Sequence, residues 1–170
     1  MEAKDIILKS LEESQRYLNE ALEGLTEEEI SWSPREESNS IAFILWHVAR
    51  VEDRWINRIT KEKNEVYDAE GWQDRLGTPP NESGGRYTKE QLLAWPVPKL
   101  EILKGYADSV RSKTMALLQS ITNEKLSETV STGRYDTVGA ILGHLITEIA
   151  LHVGQMHYLH GVHRGLPAPE

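Results

Sequence analysis

Four long stretches of this chain repeat apolar side chains at intervals of three and four, and almost none of it alternates with a period of two. That pattern predicts amphipathic helices and leaves little room for a sheet. The first stretch runs from about Ala3 to Gly24, with Ile7, Leu11, Leu18, Leu22 and Leu25 on one face. The following LTEEEISWSP reads as a turn of helix stopped at Pro34. Residues Ser38 to Ser40 offer N-caps for the second stretch, which reaches about Thr60 and turns Ile41, Ile44, Val48, Val51, Trp55 and Ile59 inward. The third starts around Pro98 and continues to about Thr122, with Leu103, Tyr106, Val110, Leu117 and Ile121 facing the core. After a polar connection from Thr122 to Asp136, Thr137 caps the fourth. Its buried face carries Val138, Leu142, Leu145, Ile149, Met156 and Leu159, and Gly165 and Pro167 end it.

The chain of 170 residues, 39% hydrophobic, is long enough for one domain to bury a core, so residues 1–170 are expected to form a single all-α four-helix bundle. Between the second and third helices, residues 61–97 carry Gly71, Gly77, Pro79, Pro80, Gly84 and Gly85, with a short helix expected within Thr88 to Ala94 and a stop at Pro96. Helices of ~22 residues span ~33 Å. A linker this long can cross the whole bundle and leave its two helices parallel, which predicts an up-down-down-up topology.

The formal net charge is −8, from 19 basic and 27 acidic residues, with no basic stripe. Such a surface repels phosphate backbones and anionic bilayers, so neither nucleic acid nor membrane is an expected partner. The charged N-terminus lacks the apolar run of a signal peptide, and no segment is expected to be long and apolar enough to cross a membrane; the default location is the cytoplasm. The absence of cysteine excludes disulfides, zinc–thiolate sites and a cysteine nucleophile.

The informative feature is Glu148-x-x-x-His152 in the fourth helix. Side chains four apart stand one above the other, so carboxylate and imidazole point the same way from a stripe that also holds Leu145 and Leu159. Polar groups bordering a core need partners, and a metal ion would satisfy both. His47, among Ile44, Val48 and Val51, is the candidate third ligand from a facing helix. Two imidazoles and one carboxylate leave a coordination position open, the arrangement of a catalytic rather than a structural zinc site, and the same set suits nickel, iron or manganese. The alternative is an ordinary one: His47 as a hydrogen-bonded core histidine, and Glu148 with His152 as a half-exposed pair. His144, one turn before Glu148, is a reserve ligand. His157, His160 and His163 suit the negative end of the helix dipole. Glu52 and Asp53 read as a solvated or salt-bridged pair rather than a general base. Trp32, Trp46 and Trp55 read as packing residues, while Trp72 and Trp95 lie in the long linker, which could cover the site. HExxH, Glu-x-x-His, GxGxxG and P-loop patterns are absent.

The blocks IAFILWHVARVEDRW and GHLITEIALHVGQMHYLHG resemble the DinB-like superfamily, which includes DUF664 members, over essentially the whole chain. The usual pattern there is one His in the second helix and His-x-x-x-His before a Gly-Gln pair in the fourth. His152, Gly154 and Gln155 preserve that ending, and Glu148 replaces the first histidine. A His, Glu, His set resembles the mycothiol-dependent maleylpyruvate isomerase branch, and related members resemble bacillithiol or glutathione S-transferases. The resemblance implies His47, Glu148 and His152 as ligands of one divalent metal, zinc or nickel first and iron or manganese next. It further implies an external low-molecular-weight thiol, a small-molecule substrate and a homodimer. The expected activity is thiol-dependent transfer or isomerisation, or hydrolysis; the alternative is a non-catalytic, stress-related metal-binding dimeric bundle.

Overall fold

Ser and Thr hydroxyls start most of the helices. Ser40 accepts the Phe43 N–H and opens the helix Ile41–Thr60, and Thr137 accepts the Ala140 N–H and opens Val138–Arg164. In this computed structural model, which describes residues 2–80, 82 and 84–165, the described residues form nine helices. They are α1 Ala3–Leu22, α2 Glu27–Ser31, α3 Ile41–Thr60, α4 Val66–Ala69, α5 Trp72–Leu76, α6 Lys89–Ala94, α7 Leu100–Ser120, α8 Asn123–Ser127 and α9 Val138–Arg164. One isolated bridge, Thr129 with Thr137, is the sole extended pairing among them. The four expected long helices are α1, α3, α7 and α9, and the two expected short ones are α2 and α6. Gly165 ends α9 with a positive φ; Pro167 lies outside the described residues.

Side-chain pairs give the directions in which the long helices run. Tyr17 meets His157, Ala21 meets His160 and Gly24 meets Arg164, so α1 and α9 run parallel. Arg50 meets Tyr106 and Glu52 meets Arg111, so α3 and α7 run parallel. His47 meets Glu148 while Trp55 meets His144, so α3 and α9 run antiparallel. The apolar faces join in one core that includes Leu11, Leu18, Ile44, Trp46, Ile56, Leu103, Val110, Leu145, Ile149 and Met156.

Three expectations need correction, and one left open is decided. Val51, Trp55 and Leu117 are only partly buried, while Arg111, Thr114 and Leu118 are buried; a helix wedged among several neighbours buries more than one stripe. Of the two readings open for Glu52 and Asp53, the salt-bridged one holds and the solvated one does not: they are 3% and 0% exposed and pair with Arg111 and Arg50. Glu52 receives both arms of Arg111 at 2.8 and 2.9 Å, and the same guanidinium donates to the Leu11 carbonyl, tying α3, α7 and α1 together. The linker holds α4 and α5 besides α6, pieces too short to show a helical period. Finally, α9 is long and apolar enough, by length and composition alone, to cross a membrane. Packing against both α1 and α3 gives it two apolar faces, which is why its sequence passes that test.

Candidate metal centre

His47 comes from the middle of α3, and Glu148 and His152 from consecutive turns of α9. Because α3 and α9 pack antiparallel, the three side chains meet. His47 Nε2 lies 3.6 Å from Glu148 Oε1, and His152 Nε2 lies 3.2 Å from the same oxygen. The two imidazole rings are 4.8 Å apart and nearly perpendicular. One ligand atom from each residue falls within 4.8 Å of the others, and this is the one such group among the described residues that could hold a metal ion.

Each imidazole is oriented through its other nitrogen. His47 Nδ1 donates to the carbonyl of Gly84, delivered by the linker. His152 Nδ1 lies 2.7 Å from Gln155 Oε1, one turn further along α9. A carbonyl oxygen only accepts, so in its neutral form each histidine carries its proton on Nδ1 and turns an Nε2 lone pair toward Glu148. Two lone pairs and a carboxylate facing one another repel unless a cation or an added proton lies between them. Burial holds the His47 imidazole below its usual pKa of 6.5, against the opposing pull of the Gly84 carbonyl and Glu148, which disfavours the added proton. The residues therefore fit a divalent ion. Ligand atoms each ~2.1 Å from a tetrahedral ion stand roughly 3.4 Å apart, close to both separations seen here.

The Gly84 carbonyl is itself held in place. Gly84 has φ +75°, and a Cβ there would stand 3.0 Å from Arg50 Cβ, so glycine suits both the turn and the close approach to α3. Arg50, 1% exposed, donates to the Glu82 carbonyl at 2.9 Å, to Tyr106 Oη at 2.9 Å, to Asp53 at 3.2 Å and to Glu65 at 2.6 Å, and its guanidinium lies over the Tyr67 ring. Asp53 accepts the N–H groups of Val66 and Tyr67 at 2.9 and 2.8 Å, capping α4 from outside the helix, and also accepts Tyr106 Oη–H at 2.9 Å. This buried cluster fastens both ends of the 65–84 crossover onto α3, one turn from His47.

A cleft of about 310 Å³ opens onto His47 and His152. Gly84, Tyr87 and Leu92 of the linker wall one side and Phe43 the other. The linker thus borders the site, through residues 84–92 rather than through its tryptophans. Trp95 packs on Phe43 and Trp46, and Trp72 packs on Tyr106. The reserve ligand His144 stacks on Tyr135 and stays outside the three-residue group. His157 and His160 donate to carbonyls of α1, and His163 contacts Trp32. Gly84 and Arg50 were missed from sequence; the one signal available was the Gly84-Gly85 pair inside the linker.

A family model described as the DinB superfamily matches residues 10–156. A solved structure described as a conserved protein of a locus from Enterococcus faecalis superimposes with a TM-score of 0.85 at 20% identity, covering 95% of this chain and 97% of that one. At that identity the likeness speaks for the fold alone. No curated protein matches the chain significantly.

Proposed function

The chain belongs to the DinB superfamily, and from that premise we propose that it is a metal-dependent enzyme that binds one divalent ion, zinc or nickel first, through His47, Glu148 and His152. The observation that carries this reading is the convergence of two Nε2 lone pairs and one carboxylate oxygen at 3.2 and 3.6 Å, with each Nδ1 already committed to a carbonyl. Iron or manganese would suit the same donors. Bound there, the ion would lower the pKa of a coordinated thiol or water and present it as a nucleophile at neutral pH.

The chain's own residues do the rest. Three protein ligands leave a coordination position free, and the cleft beside His47 and His152 admits a small molecule to it. Phe43, Tyr87 and Leu92 offer that molecule an apolar wall. The chain has no cysteine, so thiol chemistry here would use an external low-molecular-weight thiol. Thiol-dependent transfer or isomerisation in the cytoplasm is the first activity to assay, with hydrolysis by a metal-activated water the close variant.

The test is elemental analysis of purified, untagged protein. About one ion per chain is expected, lost in His47→Ala and in His152→Ala while the far-UV circular dichroism stays helical. Stoichiometric metal retained in either variant would sink the assignment. Metal present without turnover of any thiol or ester substrate would favour the alternative, a non-catalytic metal-binding bundle.

A further inference from the structure

Among the described residues, two non-glycine positions have positive φ, Lys61 and Arg86. Lys61 is the left-handed C-cap of α3, an ordinary way to end a helix. Arg86 has φ 59° and caps nothing: it lies two residues before Thr88, the N-cap of α6. An L-residue carrying a Cβ is disfavoured there by about 1 kcal/mol. Glycines occupy 84 and 85, yet position 86 keeps a long cationic side chain at that cost. Strain held in this way points toward a use for the side chain.

Arg86 lines the cleft that opens on His47 and His152. The other cation in that lining, Lys89, lies 3.1 Å from Glu36 and is already paired. Arg86 makes no ion pair among the described residues. Glu37 also lines the cleft, and no ion pair joins it to Arg86 among the described residues, so the guanidinium stands in the same cleft as two candidate metal ligands with its charge unmatched by a direct partner. We propose that Arg86 is the specificity residue of the cleft and binds a carboxylate of the small molecule whose other end reaches the metal. The ligand class is then an anionic one: a metal-binding donor at one end, an apolar body along Phe43, Tyr87 and Leu92, and a carboxylate on the planar fork of Arg86.

This rests on the metal reading, and cobalt-loaded protein separates the two. The probes are 3-mercaptopropionate and its neutral amide, 3-mercaptopropionamide, titrated while thiolate-to-cobalt absorption is followed. The acid is expected to bind about tenfold tighter than the amide to the unaltered protein. In Arg86→Gln the two should bind alike, at the affinity of the amide, and Arg86→Lys should recover part of the preference. Lys89→Gln should leave it unchanged. Equal binding of acid and amide by the cobalt-loaded protein, or a preference that survives Arg86→Gln or disappears in Lys89→Gln, overturns the assignment to Arg86. A protein that takes up no cobalt removes the metal reading and this proposal with it.

Discussion

His47 shows how one side chain can be committed twice. Its Nδ1 is used by the Gly84 carbonyl, and that single bond decides which nitrogen faces Glu148. Gly84→Ala is therefore expected to act on the site as well as on stability. The added Cβ meets Arg50 at 3.0 Å in a backbone region that alanine disfavours, a destabilisation of about 1–3 kcal/mol. The displaced carbonyl should weaken metal binding by about tenfold. Competition against a chelator reads the affinity, and an unchanged affinity would mean that the Gly84 contact does not position His47. The pH dependence follows from burial. His47 and His144 both have pKa values lowered from 6.5, desolvation being the larger cause in each. Below 6.5 the unfolded chain binds protons that the folded chain refuses, so these groups make stability rise with pH across that window and fall on acidification. Metal-free protein should accordingly melt at lower temperature at pH 5.5 than at pH 7.5. An NMR titration of the His47 imidazole should give a midpoint below 6.5; one at or above that value would contradict the burial argument.

The elements meet at the site because charged residues inside the bundle fasten them. Arg50, Asp53 and Tyr106 join α3 and α7 to the start of α4 and to the segment before Gly84. Removing one partner of such a cluster strands the others without solvent. Asp53→Ala should cost about 3–5 kcal/mol, because it removes the more deeply buried of Arg50's two carboxylates, leaving only Glu65, and takes away the acceptor of Tyr106 and the cap of α4. A thermal melt should fall by roughly 10 °C. A shift within a degree or two would show that the crossover is held by its apolar contacts, Trp72 on Tyr106 and Trp95 on Phe43 and Trp46, instead.

At the scale of the molecule, α9 serves three purposes at once. Its inward stripes pack on α1 and α3, its Glu148 and His152 join His47 in the three-residue group, and its outer face leaves Leu151, Tyr158 and Val162 exposed. The homodimer expected from the family resemblance would have a use for that face. Light scattering on size-exclusion eluate should then report a dimer for the unaltered chain and a monomer for the pair Leu151→Lys with Tyr158→Lys. A monomer in both samples would remove the dimer, and a dimer in both would place its interface elsewhere.

The sequence by itself determined the parts that depend on near neighbours along the chain. Helical period located α1, α3, α7 and α9, the hydroxyls of Ser40 and Thr137 marked where two of them start, and the four-residue spacing put Glu148 and His152 on one side of α9. His47 was legible because it interrupts an apolar face. The tertiary structure alone decided what faces what across long separations. The Gly84 carbonyl reaches His47 from 37 residues away, Arg111 reaches Glu52 from 59, and Asp53 caps a helix that begins 13 residues after it. Helical period left Glu52 and Asp53 either solvated or salt-bridged and gave no place to Arg50, because period records only apolar side chains. Whether a charge is solvated or buried depends on its partner, and the partner is brought to it by packing.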